Sequence, residues 1–336
     1  MKALKIIGIV VLVLVALIVI LGIIAPKDYR VERSVLINAP SQVVFNHAKY
    51  WRNWQAWSPW AEMDSTMKVT IEGIDGTPGS LYKWSGVKAG TGEMTNTGIK
   101  ANEEIAYQLR FIKPWESESN GYVRLADVQG NTTAAWGFYG KNKFPWNIMT
   151  LFFSMETMIA KDFDRGLALL KDISEKENTA IQSYSVTELM FPARTYAAIQ
   201  KTIGFGQIQN SLADAYTQIM AELGKQGIQM AGAPAALYYE WDEQNRITKV
   251  AAAIPIKSPI KSGGDLKIIR MPKAKAYMVD YFGPYQESAA AHYACDFYLS
   301  KKGLKQKSPV IEEYITDHAS EPDSSKWHTK IYYFGE

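Results

Sequence analysis

An uncharged apolar run near the amino terminus constrains this chain more than any other feature. The run extends for 20 residues, from Ile6 to Ala25, with the sequence IIGIVVLVLVALIVILGIIA. As a helix it reaches about 30 Å, which is the thickness of the hydrocarbon core of a bilayer. A cleaved signal peptide is the alternative, but its apolar core is normally about 7 to 15 residues long, and Pro26 stands where cleavage would occur. The run therefore predicts an uncleaved transmembrane anchor over residues 1–27.

The basic residues on either side of the run are nearly balanced in number. Lys2 and Lys5 precede it, and Lys27, Arg30 and Arg33 follow it closely. Cytoplasmic flanks usually carry the excess of lysine and arginine, so this count alone does not orient the chain. Because a very short basic leader before a long apolar run resembles a signal anchor, we expect a single-pass membrane protein. We expect its folded part to lie in the periplasm or another extracytoplasmic space.

The rest of the chain has the composition of globular domains. Its length of 336 residues suggests two of them. The net charge is only +3 and is not gathered into long basic runs, which argues against a nucleic-acid partner. Cys295 is the single cysteine, so an internal disulfide and a multi-cysteine metal site are both excluded. We expect neither a metal nor a cofactor.

Residues 28–177 carry the pattern of a first folded domain. A half-exposed strand stops at Pro40, several short strands divided by turn residues follow, and a long amphipathic helix closes the segment. Between the first strand and the later ones, four tryptophans recur every third residue: Trp51, Trp54, Trp57 and Trp60. Such a spacing makes one aromatic stripe, which either closes a core or forms a lid over an apolar ligand. The order of elements predicts a curved antiparallel sheet around a long terminal helix.

Four short motifs in this segment carry a family resemblance. They are the strand ending INAP, the pattern W..W...SPW from Trp51 to Trp60, G..Y.W.G from Gly79 to Gly86, and GL..LK from Gly166 to Lys171. In this order they resemble the SRPBCC superfamily, the START-like polyketide cyclases and dehydrases. The resemblance implies a helix-grip fold with a deep apolar cavity that holds lipophilic molecules. It makes four tryptophans candidates for the cavity wall: Trp54, Trp57, Trp84 and Trp136. No catalytic residue is common to that group.

Residues 178–336 contain an internal repeat. SLADAYTQIMAELGKQGI matches SAAAHYACDFYLSKKGL, with Gly227 over Gly303, at an offset of about 76 to 81 residues. PAALYYEW, which begins at Pro234, then matches PVIEEYIT, which places Tyr239 over Tyr314. Each unit has the pattern strand, helix, strand, strand. Two such units predict a domain with a pseudo-twofold axis and with its helices on one side. The complete chain is therefore expected to belong to the α+β class.

Two adjacent glutamates in the last matched strand must lie on opposite faces of the sheet. Position 312 is matched by Leu237 in the first repeat, so Glu312 is predicted to face inward, whereas Glu313 is predicted to face the neighbouring layer near an exposed edge. A carboxylate among aromatic residues either protonates or binds a cation. The alternative is a structural Glu312 that accepts a hydrogen bond from a buried tyrosine.

The same segment carries a second family resemblance. YFGPYQE from Tyr281 to Glu287, P.IEEY..D from Pro309 to Asp317, and W.TKIYY from Trp327 to Tyr333 resemble the GyrI-like domain, an AraC-type effector-binding and SOUL-like domain. The resemblance implies that Glu312 lies in a pocket between the repeats and binds cationic, apolar ligands. The tyrosines grouped with it are Tyr314, Tyr239 and Tyr285. AraC-type and MerR-type regulators join this domain to a DNA-binding module, which this chain replaces with the first domain and the apolar run.

Three functions are open at this point. The favoured one is a membrane-anchored protein that binds small lipophilic, cationic molecules through Glu312, in a sensing or sequestering role. A hydrolase with Glu312 as general base is the second, because the resemblance includes such proteins. A docking protein without a ligand is the third. The four histidines, at positions 47, 292, 318 and 328, are scattered, and no P-loop, dinucleotide, zincin or nucleophile-elbow motif is present, so an enzyme is the less favoured reading.

Overall fold

The computed structural model describes residues 2–114, 116–258, 260–261, 263–316 and 321–336. Asp317 and His318, named in the patterns above, lie outside the described residues. The chain divides into two compact units, Met1–Asn178 and Thr179–Glu336. It has two antiparallel sheets, helices beside each, and one apolar helix at its amino terminus, which confirms the α+β class and the tandem arrangement.

The first unit begins with the apolar helix and continues with short helices and a seven-stranded sheet. The helices are α1 (Lys2–Ile24), α2 (Ser41–Lys49), α3 (Trp51–Trp54), α4 (Pro59–Met63) and α5 (Met155–Gln182), the last of which crosses the division between the units. The strands are β1 (Asp28–Ile37), β2 (Lys68–Glu72), β3 (Leu81–Gly86), β4 (Gly90–Lys100), β5 (Glu104–Lys113), β6 (Ser117–Val128) and β7 (Asn131–Lys141). Their order in the sheet is β1-β7-β6-β5-β4-β3-β2.

Helix α1 is the one helix among the described residues that is long and apolar enough to cross a membrane. Its apolar part, Lys5–Ile24, has a mean hydropathy of 3.6, and only 6% of that window is buried within the protein. Exposure of such a surface to water is unfavourable, because the transfer of each leucine or isoleucine side chain from water to an apolar environment lowers the free energy. The structure thus contains the helix that the apolar run predicts.

The core of the first unit is a cluster of aromatic rings between the sheet and α5. Trp54 and Trp57 lie with their ring centroids 4.6 Å apart, Trp57 lies 4.9 Å from Trp136, and Trp136 stacks on Phe163 of α5 at 4.4 Å. The long helix comes this close because Gly166 has no side chain: a Cβ there would collide with the Trp136 ring. The stripe of tryptophans therefore closes a core.

The second unit is a single eight-stranded sheet with two helices. Its strands are β8 (Thr187–Phe191), β9 (Arg194–Gly204), β10 (Ala235–Asp242), β11 (Ile247–Pro255), β12 (Leu266–Met271), β13 (Ala274–Phe282), β14 (Gln306–Tyr314) and β15 (His328–Gly335). The helices are α6 (Ile208–Lys225) and α7 (Ala289–Lys301). The order in the sheet is β12-β9-β11-β10-β14-β15-β13-β8, so β10 and β14 are the central pair.

The two repeats meet at this central pair and exchange their outer strands. One repeat is β9-α6-β10-β11 and the other is β13-α7-β14-β15, each preceded by one more strand that the pattern did not predict. Strand β8 leads the first repeat but pairs with β13 of the second, whereas β12 leads the second and pairs with β9 of the first. Gly227 and Gly303 occupy the same position after α6 and α7, with φ of 65° and 67°, a left-handed conformation that favours glycine.

Candidate ligand-binding site

Strand β14 presents different chemistry on its two faces. It pairs antiparallel with β10, with Glu312 opposite Ala236 and Glu313 opposite Ala235. Tyr314 packs against the core beneath α6, so Glu312, two residues before it, lies on the face that carries the helices. Glu313 lies on the other face, where Ile311 belongs to a separate apolar core. The alternation inferred from the sequence is thus present, and each face carries one carboxylate.

Glu313 is buried, and the expectation that it lies near an exposed edge is wrong. Its side chain is 7% exposed, and one of its oxygens accepts a hydrogen bond from Nη1 of Arg194 at 2.6 Å. The hydroxyl of Tyr332 donates to the other oxygen at 3.1 Å. The edge was misplaced because β14 is a central strand of the sheet. Glu313 therefore belongs to a neutralised structural pair with a cation that stays charged at every relevant pH.

Glu312 has weaker partners than its neighbour. Its side chain is 12% exposed. The Tyr314 hydroxyl donates to one oxygen at 2.8 Å, and Nε2 of His292 lies 3.1 Å from the other. Among the described residues, His292 is the one ion-pair partner of Glu312, and it carries a charge only when protonated. Glu312 lies opposite Ala236 on β10 and opposite Ile331 on β15.

His292 is held in place from the other side of its ring. Helix α7 buries Ala291 and Cys295 against the sheet, and the intervening His292 is half-buried next to Glu312. Its Nδ1 lies 3.0 Å from the hydroxyl of Tyr333 on β15. With Glu312 at one ring nitrogen and Tyr333 at the other, the imidazole has a defined orientation.

A second carboxyl group lies one helical turn beyond His292. The pKa of Asp296 is raised from its ordinary 3.8 to about 6. Burial causes the rise, and the positive charge of His292 offsets part of it. Burial also raises the pKa of the Tyr333 hydroxyl, and the negative charges of Asp296 and Glu312 raise it further. The site therefore contains two carboxyl groups, Glu312 and Asp296, and one histidine. In the described part of the chain, no group of three His, Cys, Asp or Glu side chains is arranged to hold a metal ion.

Tyrosines form the remaining wall around Glu312. Burial raises the pKa values of Tyr216, Tyr238 and Tyr314 well above their usual range, and the negative charge of Glu312 adds to the effect on each. The hydroxyl of Tyr216 on α6 is buried and has no hydrogen-bond partner among the residues that the structure describes. The ring of Tyr285 lies 4.9 Å from that of Tyr314, and its hydroxyl donates to the Thr316 carbonyl at 3.2 Å.

Tyr239 does not join this group, because the strand register differs by one residue from the predicted alignment. It lies with the core on the opposite face, and Tyr238 takes the place expected for it. The pairing of Ala236 with Glu312 requires an offset of 76 residues between the repeats, so that Tyr238 corresponds to Tyr314. Residues directly opposite each other on neighbouring strands have their side chains on the same face of the sheet. A shift of one residue in the alignment therefore moves the side chain to the other face.

The same offset reveals the residues that sequence reasoning missed. It places Tyr216 of α6 over His292 of α7, the residue before Tyr293. The buried faces of the two helices agree with the offset, since Ala215 corresponds to Ala291 and Ile219 to Cys295. The signal was present in the sequence as the spacing of small and apolar residues along each helix. A helix alignment based on buried positions would have found His292.

The four tryptophans predicted for a cavity in the first unit are distributed differently. Trp54, Trp57 and Trp136 contact one another in the aromatic core, and Trp84 lies apart from them beside Phe111. Their indole N–H groups donate within the unit, to the carbonyls of residues 48, 47 and 89 and to the Tyr107 hydroxyl. Three of the four rings thus pack on one another, and their role as a cavity wall stays a prediction.

Comparison with known proteins assigns a family to each unit. Residues 28–175 match the family described as polyketide cyclase / dehydrase and lipid transport, and residues 184–333 match the GyrI-like small molecule binding domain. Both resemblances noted in the sequence are thereby confirmed. No curated protein matches the chain.

Two of the solved structures that resemble part of this chain are the following. The C-terminal domain of EcmrR has 17% identity and a TM-score of 0.39, and the match covers 46% of this chain and 98% of that one. A crystal structure described as a hydrolase from Listeria innocua has 11% identity and a TM-score of 0.34, over 45% of this chain and 92% of that one. At these values no function is transferred from either protein.

Proposed function

We propose that this chain, which joins a polyketide cyclase / dehydrase and lipid transport domain to a GyrI-like small molecule binding domain, is a membrane-anchored binding protein for lipophilic cations. The proposed site is the group of side chains around Glu312, with Tyr314 and Tyr285 beside it. The observation that carries the proposal is the contrast between two adjacent glutamates. Glu313 has a permanent cation in Arg194, whereas the partners of Glu312 among the described residues are His292 and the Tyr314 hydroxyl.

The physical basis is the cost of a largely buried carboxylate whose ion-pair partner is a histidine, which carries a charge only when protonated. A carboxylate removed from water is stabilised by a nearby cation, and the gain grows as the local dielectric constant falls. A bound organic cation would give Glu312 the neutralising positive charge that the Arg194 guanidinium gives Glu313. The aromatic rings of Tyr314, Tyr285 and Trp327 would add apolar contact and attraction of a cation to their faces, at about 0.5 to 2 kcal/mol for each well-placed ring.

The anchor determines where the binding takes place. Helix α1 would hold the chain at the membrane, where lipophilic cations concentrate, and a sensing or sequestering role follows from binding without chemistry. We place the folded part outside the cytoplasm and the domain boundaries at residues 1–27, 28–177 and 178–336. The family matches at 28–175 and 184–333 support these boundaries.

The proposal is tested by calorimetric titration of the full-length chain in lipid nanodiscs. The probes are tetraphenylphosphonium and a neutral analogue of similar size, triphenylphosphine oxide. Because a hydrogen bond or ion pair to a charged group contributes about 1.5 to 3 kcal/mol, Glu312→Gln should weaken binding of the cation by roughly 10- to 100-fold. Binding of the neutral probe should change little.

The matched control is Glu240→Gln on the neighbouring strand β10. Glu240 has a side chain that is 68% exposed and pairs only loosely with Lys249, at 3.4 Å. Its replacement should leave both titrations unchanged. Equal affinity of the intact chain for the charged and the neutral probe, or full retention of cation binding by Glu312→Gln, would contradict the assignment of Glu312.

A further inference from the structure

The carboxyl end of helix α1 is built into the first unit. The buried side-chain amide of Asn147 donates from Nδ2 to the Gly22 carbonyl at 2.7 Å and to the Ala25 carbonyl at 3.1 Å. The Thr150 hydroxyl lies 3.2 Å from the Pro26 carbonyl. The ring of Phe144 lies against Gly22, where a Cβ would collide with it. These contacts satisfy carbonyl groups that the last turn of a helix otherwise leaves without partners.

This junction favours retention of the helix in the mature protein. Cleavage after Ala25 would remove both acceptors of the Asn147 side-chain amide, which is fully buried in the intact chain. It would also uncover the Phe144 ring. A buried donor that loses its partner destabilises the fold, whereas a cleaved signal sequence is normally free of such contacts.

An exposed apolar patch surrounds this junction. Its members come from the turn of 3₁₀ helix Trp146–Leu151 and from the residues beside it. The most exposed are Trp146 at 72% and Phe152 at 69%. We call the following six residues the junction patch: Phe144, Trp146, Met149, Leu151, Phe152 and Phe153.

The geometry of a 3₁₀ helix explains how one short segment serves two purposes. Side chains three residues apart lie on the same face of such a helix. Asn147 and Thr150 form the face that contacts α1. Trp146 and Met149 each precede one of these residues by one position, and Phe152, just after the helix, continues their spacing of three, so these three form a separate, exposed face. Large apolar side chains at this density on an exposed surface mark a binding surface.

The junction patch lies at the height of the last turn of α1. Gly22, which Phe144 covers, is two residues before the end of the helix at Ile24, a rise of about 3 Å. If α1 spans the bilayer, its last turn is at the boundary between acyl chains and headgroups. Tryptophan is enriched at this boundary because its ring is apolar and its N–H is polar. Lys27 and Lys143, both exposed, stand beside the patch, as suits anionic headgroups.

We propose that the junction patch inserts into the membrane surface, so that the first unit rests on the lipid bilayer in which α1 is anchored. The occupant of the patch is the lipid surface itself. The continuity between the patch and the apolar helix favours lipid over a protein partner, because any protein covering the patch would have to lie at the same depth in the membrane. The inference rests on the membrane anchoring included in the proposed function.

The test uses a fluorescent label on the full-length chain in lipid vesicles. In a Cys295→Ala background, an NBD group is attached at Phe152→Cys or, in a second variant, at Met149→Cys. Both positions are exposed, so the label should not disturb folding. Vesicles that contain lipids brominated high on the acyl chain should quench both labels at least twofold more than a label at the distal end of the sheet.

The distal control is Val128→Cys, at the turn between β6 and β7. Strand β1 leaves the membrane end at Asp28, which pairs with Lys141, and reaches Ile37, which pairs with Thr132 close to that turn. Nine steps along a strand amount to about 30 Å, so this label should remain in water. Extraction of the same vesicles with carbonate shows separately whether α1 spans the bilayer.

Each outcome decides the matter. Strong quenching at residues 149 and 152 and none at residue 128 supports insertion. Equal quenching at all three positions contradicts it. A blue-shifted but unquenched label at residue 152 indicates a protein partner and also contradicts it. If the chain resists carbonate extraction but the patch labels are not quenched, the insertion is wrong while the membrane anchor of the proposed function stands.

Discussion

Replacement of Asp296 by asparagine should stabilise the second unit in a pH-dependent manner. Burial raises the pKa of this aspartate from its ordinary 3.8 to about 6. Between these two pH values the carboxyl group is protonated in the folded chain and ionised in the unfolded chain. Ionisation in the folded state then lowers the free energy of unfolding. The loss begins near pH 4, grows as pH rises through about 6, and is complete above it.

The size of the effect follows from the difference between the two pKa values. Asp296→Asn removes the ionisable group and should raise the free energy of unfolding by about 1.5 kcal/mol at pH 5 and by about 3 kcal/mol at pH 8. For a unit of this length, the larger value corresponds to an increase in Tm of roughly 6 to 12 °C. Differential scanning calorimetry of the full-length chain in detergent micelles at the two pH values measures the change.

The matched control is Asp214→Asn, an exposed aspartate on helix α6. Because surface substitutions usually change the free energy of unfolding by less than about 0.5 kcal/mol, its Tm should stay constant at both pH values. Equal stabilisation by Asp296→Asn at pH 5 and pH 8 would refute the reasoning, because the effect would then not come from ionisation. Destabilisation at pH 8 would refute it as well, since it would assign Asp296 a favourable partner when charged.

Three further predictions concern binding and the two cores. Because ionisation of Asp296 adds a second negative charge to the site, affinity for tetraphenylphosphonium should rise roughly three- to tenfold from pH 5 to pH 8, and calorimetric titration should show a smaller rise for Asp296→Asn. Arg194→Met leaves Glu313 buried without a cation and should cost about 3 to 5 kcal/mol, measured by calorimetry; a Glu313→Gln change in the same chain should recover part of the loss. Trp136→Ala should cost about 3 to 5 kcal/mol in the first unit and leave cation binding unchanged, since its ring stacks on Phe163 in a core of that unit. A loss of cation binding in Trp136→Ala would show that the binding site involves the first unit.

Local features of the fold were predictable from the sequence because they depend on neighbours along the chain. The apolar run has the length and composition of helix α1, and the spacing of the tryptophans indicated an aromatic stripe. Gly227 and Gly303 marked the ends of two equivalent helices, since both positions need a left-handed backbone. The order of motifs was sufficient to assign both families, which the comparisons confirm.

Contacts between distant residues were not predictable in the same manner. Arg194 and Glu313 are separated by 119 residues, and nothing in their local sequences connects them. The exposed edge expected for Glu313 was wrong because strand order, which the sequence does not state, places β14 at the centre of the sheet. Tyr239 was assigned to the wrong face because an alignment of repeats that is one residue out reverses the direction of every side chain in a strand.

The sequence by itself determined that Glu312 and Glu313 lie on opposite faces, because side chains alternate along any strand. Only the tertiary structure decided what each face contains. Strand β9 brings Arg194 to one carboxylate, and helix α7 brings His292 to the other. Arginine remains charged at every relevant pH and histidine does not, so two identical side chains at consecutive positions have different chemistry. The partners come from elements that are remote in the chain, and their distance is a property of packing.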